Sequence, residues 1–143
     1  MKKLLFTFLI LFVTLTIKAQ QNTSSSAPIR PFIRVENTLY ISGQVGIDRS
    51  TGKLVDSSFE AEVKQVMFNI DMQLKTNKLQ MDDLVSVIIY VKDMKKYNTV
   101  NEIYRTYFKD RFPTRTFIAV ADLPVNANIE ISAIASFGRS SNN

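Results

Sequence analysis

From Ile29 onward, apolar residues come in short runs broken by polar turns. Phe32-Ile33-Arg34-Val35 and Leu39-Tyr40-Ile41-Ser42 flank Glu36-Asn37-Thr38, the pattern of a hairpin. Gly43-Gln44-Val45-Gly46-Ile47-Asp48 carries the second strand on to a turn at residues 49–53. The period then changes. Phe59, Val63, Val66, Met67, Ile70 and Leu74 recur at helical spacing. Ser57 or Ser58 is placed to cap this helix, and Glu60 and Glu62 suit its positive end. After a loop closed by Met81-Asp82-Asp83, the near-continuous apolar run from Leu84 to Val91 predicts a central strand buried on both faces. A second helix is predicted over residues 97–109, with Val100, Ile103, Tyr104, Tyr107 and Phe108 as its stripe and Pro113 barring its continuation. Strands over 115–120 and 129–137 complete the chain, and no fixed-period repeat runs through it. The order β-β-α-β-α-β-β predicts an α+β fold, a mixed sheet with two helices on one face.

Such a sheet has a second face to account for. Alternation puts Arg115, Phe117 and Ala119 on one side of their strand and Thr116, Ile118 and Val120 on the other. In the last strand Ile129, Ile131, Ala133 and Ala135 oppose Glu130, Ser132 and Ile134. Neither side is cleanly polar, and self-association is the natural way to cover the face that the helices leave open.

The N-terminus reads differently. Lys2-Lys3, an apolar run from Leu4 to Ile17 and then Lys18-Ala19-Gln20 have the form of a secretory signal peptide ending near Ala19. The apolar run is short for a membrane span, which takes about 20 residues. The sequence therefore predicts an exported chain, free of the membrane after cleavage, in the order leader peptide 1–19, flexible polar linker 20–27, folded domain 28–138 and polar tail 139–143. The chain carries 18 basic against 13 acidic residues, a net charge of +5. Loss of Lys2, Lys3 and Lys18, with no acid, leaves 15 against 13, a net charge of +2. That balance gives little attraction for phosphate backbones, and no nucleic-acid partner is expected. The 143 residues include no cysteine and no histidine. Disulfides, thiolate nucleophiles and histidine acid/base chemistry are excluded, and a zinc site is not expected.

Two charges interrupt the final strands. Arg115 lies just inside one and Glu130 inside the next, where an ionised group must be paired or solvated. Taken as the two halves of one strand pair, they form a candidate site for a small carboxylate, because a guanidinium holds a carboxylate through two parallel hydrogen bonds. A structural Arg115–Glu130 ion pair accounts for the same residues. Ser42 offers a hydroxyl and Gly43 a close backbone approach, as would a strand end or bulge. Asn101 suits either a ligand or a helix cap.

Four segments in order, Leu39-Tyr40-Ile41-Ser42-Gly43-Gln44, Val100-Asn101-Glu102-Ile103-Tyr104, Pro113-Thr114-Arg115-Thr116 with Ala121-Asp122-Leu123-Pro124, and Ile129-Glu130-Ile131, resemble the RidA/YjgF family of imine deaminases, also called endoribonuclease L-PSP, over roughly residues 28–137. The resemblance implies a chorismate mutase-like α+β fold and a homotrimer with ligand clefts between subunits. It also implies hydrolysis of 2-imino or 2-enamino acids to 2-keto acids and ammonia, without metal or organic cofactor. In those terms Arg115 grips the substrate carboxylate and Glu130 holds the attacking water, with Ser42, Gly43 and Asn101 shaping the site. Ile29 stands where the family has a tyrosine lining the cleft, and Phe117 where it often has a small residue or cysteine. A secreted trimer that binds carboxylate metabolites without turnover is the alternative these two positions favour. Ribonuclease action would lack its usual histidine pair.

Overall fold

The computed structural model describes residues 28–139. The expected leader peptide and linker, and residues 140–143 of the expected tail, lie outside the described residues. The elements are β1 (Phe32–Val35), β2 (Thr38–Val45), β3 (Ile47–Asp48), β4 (Lys53–Leu54), α1 (Phe59–Thr76), β5 (Leu84–Val91), α2 (Tyr97–Arg105), β6 (Thr114–Ala119) and β7 (Ile129–Ser136). The predicted α+β order is observed, with β3 and β4 added as a small separate hairpin. Ser58 is the cap of α1, its hydroxyl accepting from the Ala61 N–H at 3.1 Å.

The main sheet runs β1-β2-β7-β5-β6. β5 and β6 are parallel, joined by the α2 crossover, and the other pairs are antiparallel. This order corrects one sequence expectation. The strands carrying Arg115 and Glu130 are not a pair, because β5 lies between them. The long apolar run from Leu84 to Val91 takes an interior position, where both of its edges are paired.

Two further expectations change. α2 stops at Arg105, and Thr106 caps it by donating its hydroxyl to the Ile103 carbonyl at 2.7 Å. Tyr107 and Phe108 extend the apolar rhythm without extending the helix. They belong to the turn, where Phe108 packs between Tyr104 (4.7 Å between centroids) and Phe112 (5.3 Å). β5 is buried on one face only: Leu84, Val87, Ile89 and Val91 face α1 and α2, while Ser86, Ile88 and Tyr90 are half-buried on the opposite side. That open face continues across the sheet through Ile33, Val35, Tyr40, Ile118 and Ile134. Four of these are exposed large hydrophobics: Ile33, Val35, Tyr40 and Ile118. No helix among the described residues is long and apolar enough to cross a membrane.

Glu62 is 1 % exposed and sits on the buried face of α1. Its carboxylate accepts from the Asn128 N–H at 2.7 Å, the Asn128 side-chain amide at 2.8 Å and the Ile129 N–H at 3.4 Å. It is thus a structural tie from α1 to the start of β7. Gly46 makes room for it: a β-carbon there would stand 2.7 Å from Glu62 Cγ. Removing the carboxylate strands buried donors, each costing about 1–3 kcal/mol. Glu62→Ala is therefore expected to lower unfolding stability by about 3 kcal/mol, read from the urea midpoint at unchanged slope.

Candidate functional site

Arg115 pairs in register with Val87, a residue that faces the helices, so its side chain rises on the helix side of β6. There it meets α2. Its guanidinium carbon lies 5.0 Å from the Tyr104 ring centre, 5.8 Å from Tyr97 and 6.0 Å from Phe117. These are cation–π distances. Nη2 reaches the Tyr97 hydroxyl at 3.5 Å. Phe117 in turn packs edge-on against Tyr97 at 4.9 Å. The residue two after the arginine is therefore a wall of its aromatic surround.

A cavity of about 400 Å³ opens beside this arginine, lined by Tyr97, Asn101, Tyr104, Arg105, Phe112, Pro113 and Arg115. Asn101 lies inside α2 and is not its cap; its Oδ1 is buried without a hydrogen-bond partner. The Tyr104 hydroxyl is likewise buried and unpartnered. Burial pushes this phenol up to about 12, against the opposing pull of Arg115 and Arg139, so it stays neutral. Tyr97, Tyr104 and Arg105 do not stand out as site residues in the sequence. The signal that finds them is helical spacing: Tyr97, Asn101, Tyr104 and Arg105 stand four, seven and eight apart from the first, on one side of α2.

Glu130 lies elsewhere. It is in register with Tyr90 on β5 and Val45 on β2, on the open face. Arg115 and Glu130 therefore occupy opposite faces of the sheet, and the ion-pair account is excluded within the chain. The two ion pairs among the described residues are Lys75–Asp71 and Lys92–Asp122. Burial alone pushes the Glu130 carboxyl above its ordinary value. Its position is set by Gly43 at the irregularity of β2 between Ile41 and Gln44. A β-carbon on Gly43 would overlap Glu130 Oε1 and stand 2.7 Å from Cδ.

Ser42 is beside it but engaged. Its hydroxyl donates to the Arg30 carbonyl at 2.6 Å, and its N–H donates to the Pro31 carbonyl at 3.0 Å. That leaves the oxygen as an acceptor only. Ile29 is exposed and lines a second hollow of about 400 Å³ with Pro28, Arg30, Phe32, Ile33, Tyr40, Ile41 and Ser42. The seven sequence-predicted residues thus form two groups. Arg115, Asn101 and Phe117 gather at the α2–β6 cavity, while Glu130, Gly43, Ser42 and Ile29 gather around β2. Among the described residues, no group of three or more Asp or Glu side chains is placed to hold a metal.

Residues 20–137 match the family model for Endoribonuclease L-PSP. The chain belongs to this family, the RidA/YjgF proteins. It is 42 % identical over 113 residues to a RutC family protein of Aquifex aeolicus, covering 76 % of this chain and 90 % of the relative. It is 40 % identical over 121 residues to the mouse 2-iminobutanoate/2-iminopropanoate deaminase, covering 82 % and 90 %. The YjgF gene product of E. coli has a similar structure, with a TM-score of 0.73 at 30 % identity, covering 78 % of this chain and 90 % of that one. As in such relatives, the fold is a mixed sheet with two helices on one face.

The dependence of Glu130 on Gly43 is testable. By carboxyl-carbon NMR, Glu130 is expected to titrate above the ordinary glutamate value of about 4.3. Its protonated form is favoured in the fold, so the related stability is present at low pH and declines as pH rises through the raised pKa. In Gly43→Ala the displaced carboxylate should return toward the ordinary value, with the fold retained. An unchanged midpoint would show that Gly43 does not place it.

Proposed function

We propose that this protein hydrolyses 2-imino acids, and their 2-enamino tautomers, to 2-keto acids and ammonia. The observation that carries the reading is Arg115, a guanidinium oriented by aromatic faces, unpaired with any carboxylate among the described residues, and open to a cavity. Such a group is free to take a substrate carboxylate. The mouse relative named for imine deamination supports the same chemistry.

The two residue groups become one site only between chains. A second copy packed on the open face would bring the Glu130, Gly43, Ser42 and Ile29 group of one subunit toward the Arg115 cavity of another. We take the assembly to be a homotrimer, as the family resemblance implies. In that cleft Arg115 fixes the carboxylate next to the imine carbon. Glu130, ionised above its raised pKa, takes a proton from water as the water oxygen attacks that carbon. Glu130 returns that proton to nitrogen, giving a carbinolamine. The hydroxyl proton then passes by way of Glu130 to nitrogen as the carbon–nitrogen bond breaks, and ammonia departs from the new keto group. Positioning supplies most of what so reactive an electrophile requires, so no metal or organic cofactor has a step to perform. The basic start and apolar run of residues 2–17, and a family match that begins at residue 20, support an exported chain cleaved near Ala19.

With 2-iminobutanoate generated in situ, the protein lacking residues 1–19 is expected to accelerate keto-acid release. Arg115→Ala should lower kcat/KM about a hundredfold, the scale of a lost charged hydrogen-bond pair. Folded wild type without acceleration would leave the carboxylate-binding trimer as the better account. Assembly has its own test. Ile134 is half-buried on the open face, and Ile134→Glu would place a charge in the interface. Sedimentation should show a trimer for wild type and a folded monomer, inactive in the same assay, for the variant. A monomeric wild type would refute the assembly.

A further inference from the structure

The α2–β6 cavity carries more positive charge than one carboxylate needs. Arg105 lines it together with Arg115, and no aspartate or glutamate among the described residues does. Arg105 is exposed, and its guanidinium has no hydrogen-bond or ion-pair partner among the described residues. It sits one helical turn beyond Asn101, on the side of α2 that begins with Tyr97 over Arg115. Behind Phe112 the field is reinforced. Arg139 donates to the Phe112 carbonyl at 3.0 Å, and Arg111 donates to the Arg139 carbonyl at 2.6 Å. Both cations are held by carbonyls, and Arg139 Nη1 is buried without a partner.

The two guanidiniums that line the cavity, Arg105 and Arg115, repel one another unless an anion joins them. A monocarboxylate neutralises Arg115 through two parallel hydrogen bonds and leaves the charge of Arg105 without a counter-ion in the cavity. A second carboxylate at the far end of the ligand removes that imbalance. A volume of about 400 Å³ is within the usual range for small-molecule sites, roughly 300–1,000 Å³. Asn101 Oδ1, buried and unpartnered, is an acceptor suited to the imine N–H.

We propose that the preferred substrate is a 2-imino dicarboxylic acid, its 2-carboxylate on Arg115 and its distal carboxylate on Arg105. This rests on the deaminase reading above and assigns Arg105 as the residue that sets specificity.

The test compares kcat/KM for 2-iminoglutarate, made in situ from glutamate by an amino-acid oxidase, with that for 2-iminobutanoate. The ratio is expected to favour the dicarboxylate about tenfold in wild type, the scale of one exposed charge-assisted contact. Arg105→Gln should bring it near one, Arg105→Lys should keep part of it, and Arg105→Glu should invert it. Because Arg105 is exposed, all three are expected to fold, as thermal unfolding would verify. A ratio unchanged by Arg105→Gln and Arg105→Glu overturns the proposal. If neither imine is turned over, calorimetry with 2-oxoglutarate and 2-oxobutanoate separates the two ideas. An Arg105-dependent preference for 2-oxoglutarate would uphold the dianion site while the deaminase reading falls. Equal binding would overturn both.

Discussion

A pleated strand sends successive side chains to opposite faces, and in this sheet the helices among the described residues cover one face. The core, the open surface and the placement of the two candidate site charges all depend on that constraint. The covered face takes Leu39, Ile41, Val87, Ile89, Val91, Ile129 and Ile131 into a single core with α1 and α2. The open face keeps Ile33, Val35, Tyr40 and Ile118, too apolar to be left to water over so broad an area. The same alternation separates the two candidate site charges. Arg115 rises into the helix layer because Val87 does, and Glu130 drops to the open face because Tyr90 does. A sheet read as one continuous surface would unite them; the pleat and the interposed β5 keep them apart within one chain.

Two glycines of β2 and its continuation solve similar problems for two different glutamates. Gly46 admits Glu62, which is buried and saturated by backbone and side-chain donors at the entrance to β7. Gly43 admits Glu130, which takes no hydrogen bond among the described residues and stays half-buried. The saturated carboxylate holds the fold and the unsaturated one is available for chemistry. Glu62 binds Asn128, two residues before Glu130, so this tie also holds the segment from which Glu130 projects.

The fold was legible because its signals were local. Helical spacing from Phe59 to Leu74, the Ser58 cap and strict alternation from Ile129 to Ser136 each fit a single element. What escaped the sequence was the order of strands in space. Nothing local to residues 115–130 reveals that β5 lies between β6 and β7, so the Arg115–Glu130 pairing could not be judged. The end of α2 escaped for a related reason. Tyr107 and Phe108 keep the helical rhythm, but Phe108 serves the aromatic contacts of a turn and Tyr107 packs against the core from it. Arg115 stood out from the sequence because a lone charge inside a strand is conspicuous; Arg105 did not, because an arginine ending a helix is ordinary.

Arg115 has rings where a structural arginine would have a carboxylate. A carboxylate partner would fix the guanidinium equally well, but it would compete with any anionic ligand for the same donors. The faces of Tyr104 and Tyr97 hold the cation through their quadrupoles, and apart from Nη2, which reaches the Tyr97 hydroxyl, its in-plane N–H groups are left free. The cost falls on Tyr104, whose hydroxyl is buried without a partner and whose ionisation is suppressed by the same burial. A neutral ring is the form this position needs, since a phenolate beside Arg115 would become the competing anion. The desolvation that destabilises the tyrosine's charged state therefore keeps the arginine available. It leaves the cavity's positive charge without a carboxylate counter-ion among the described residues.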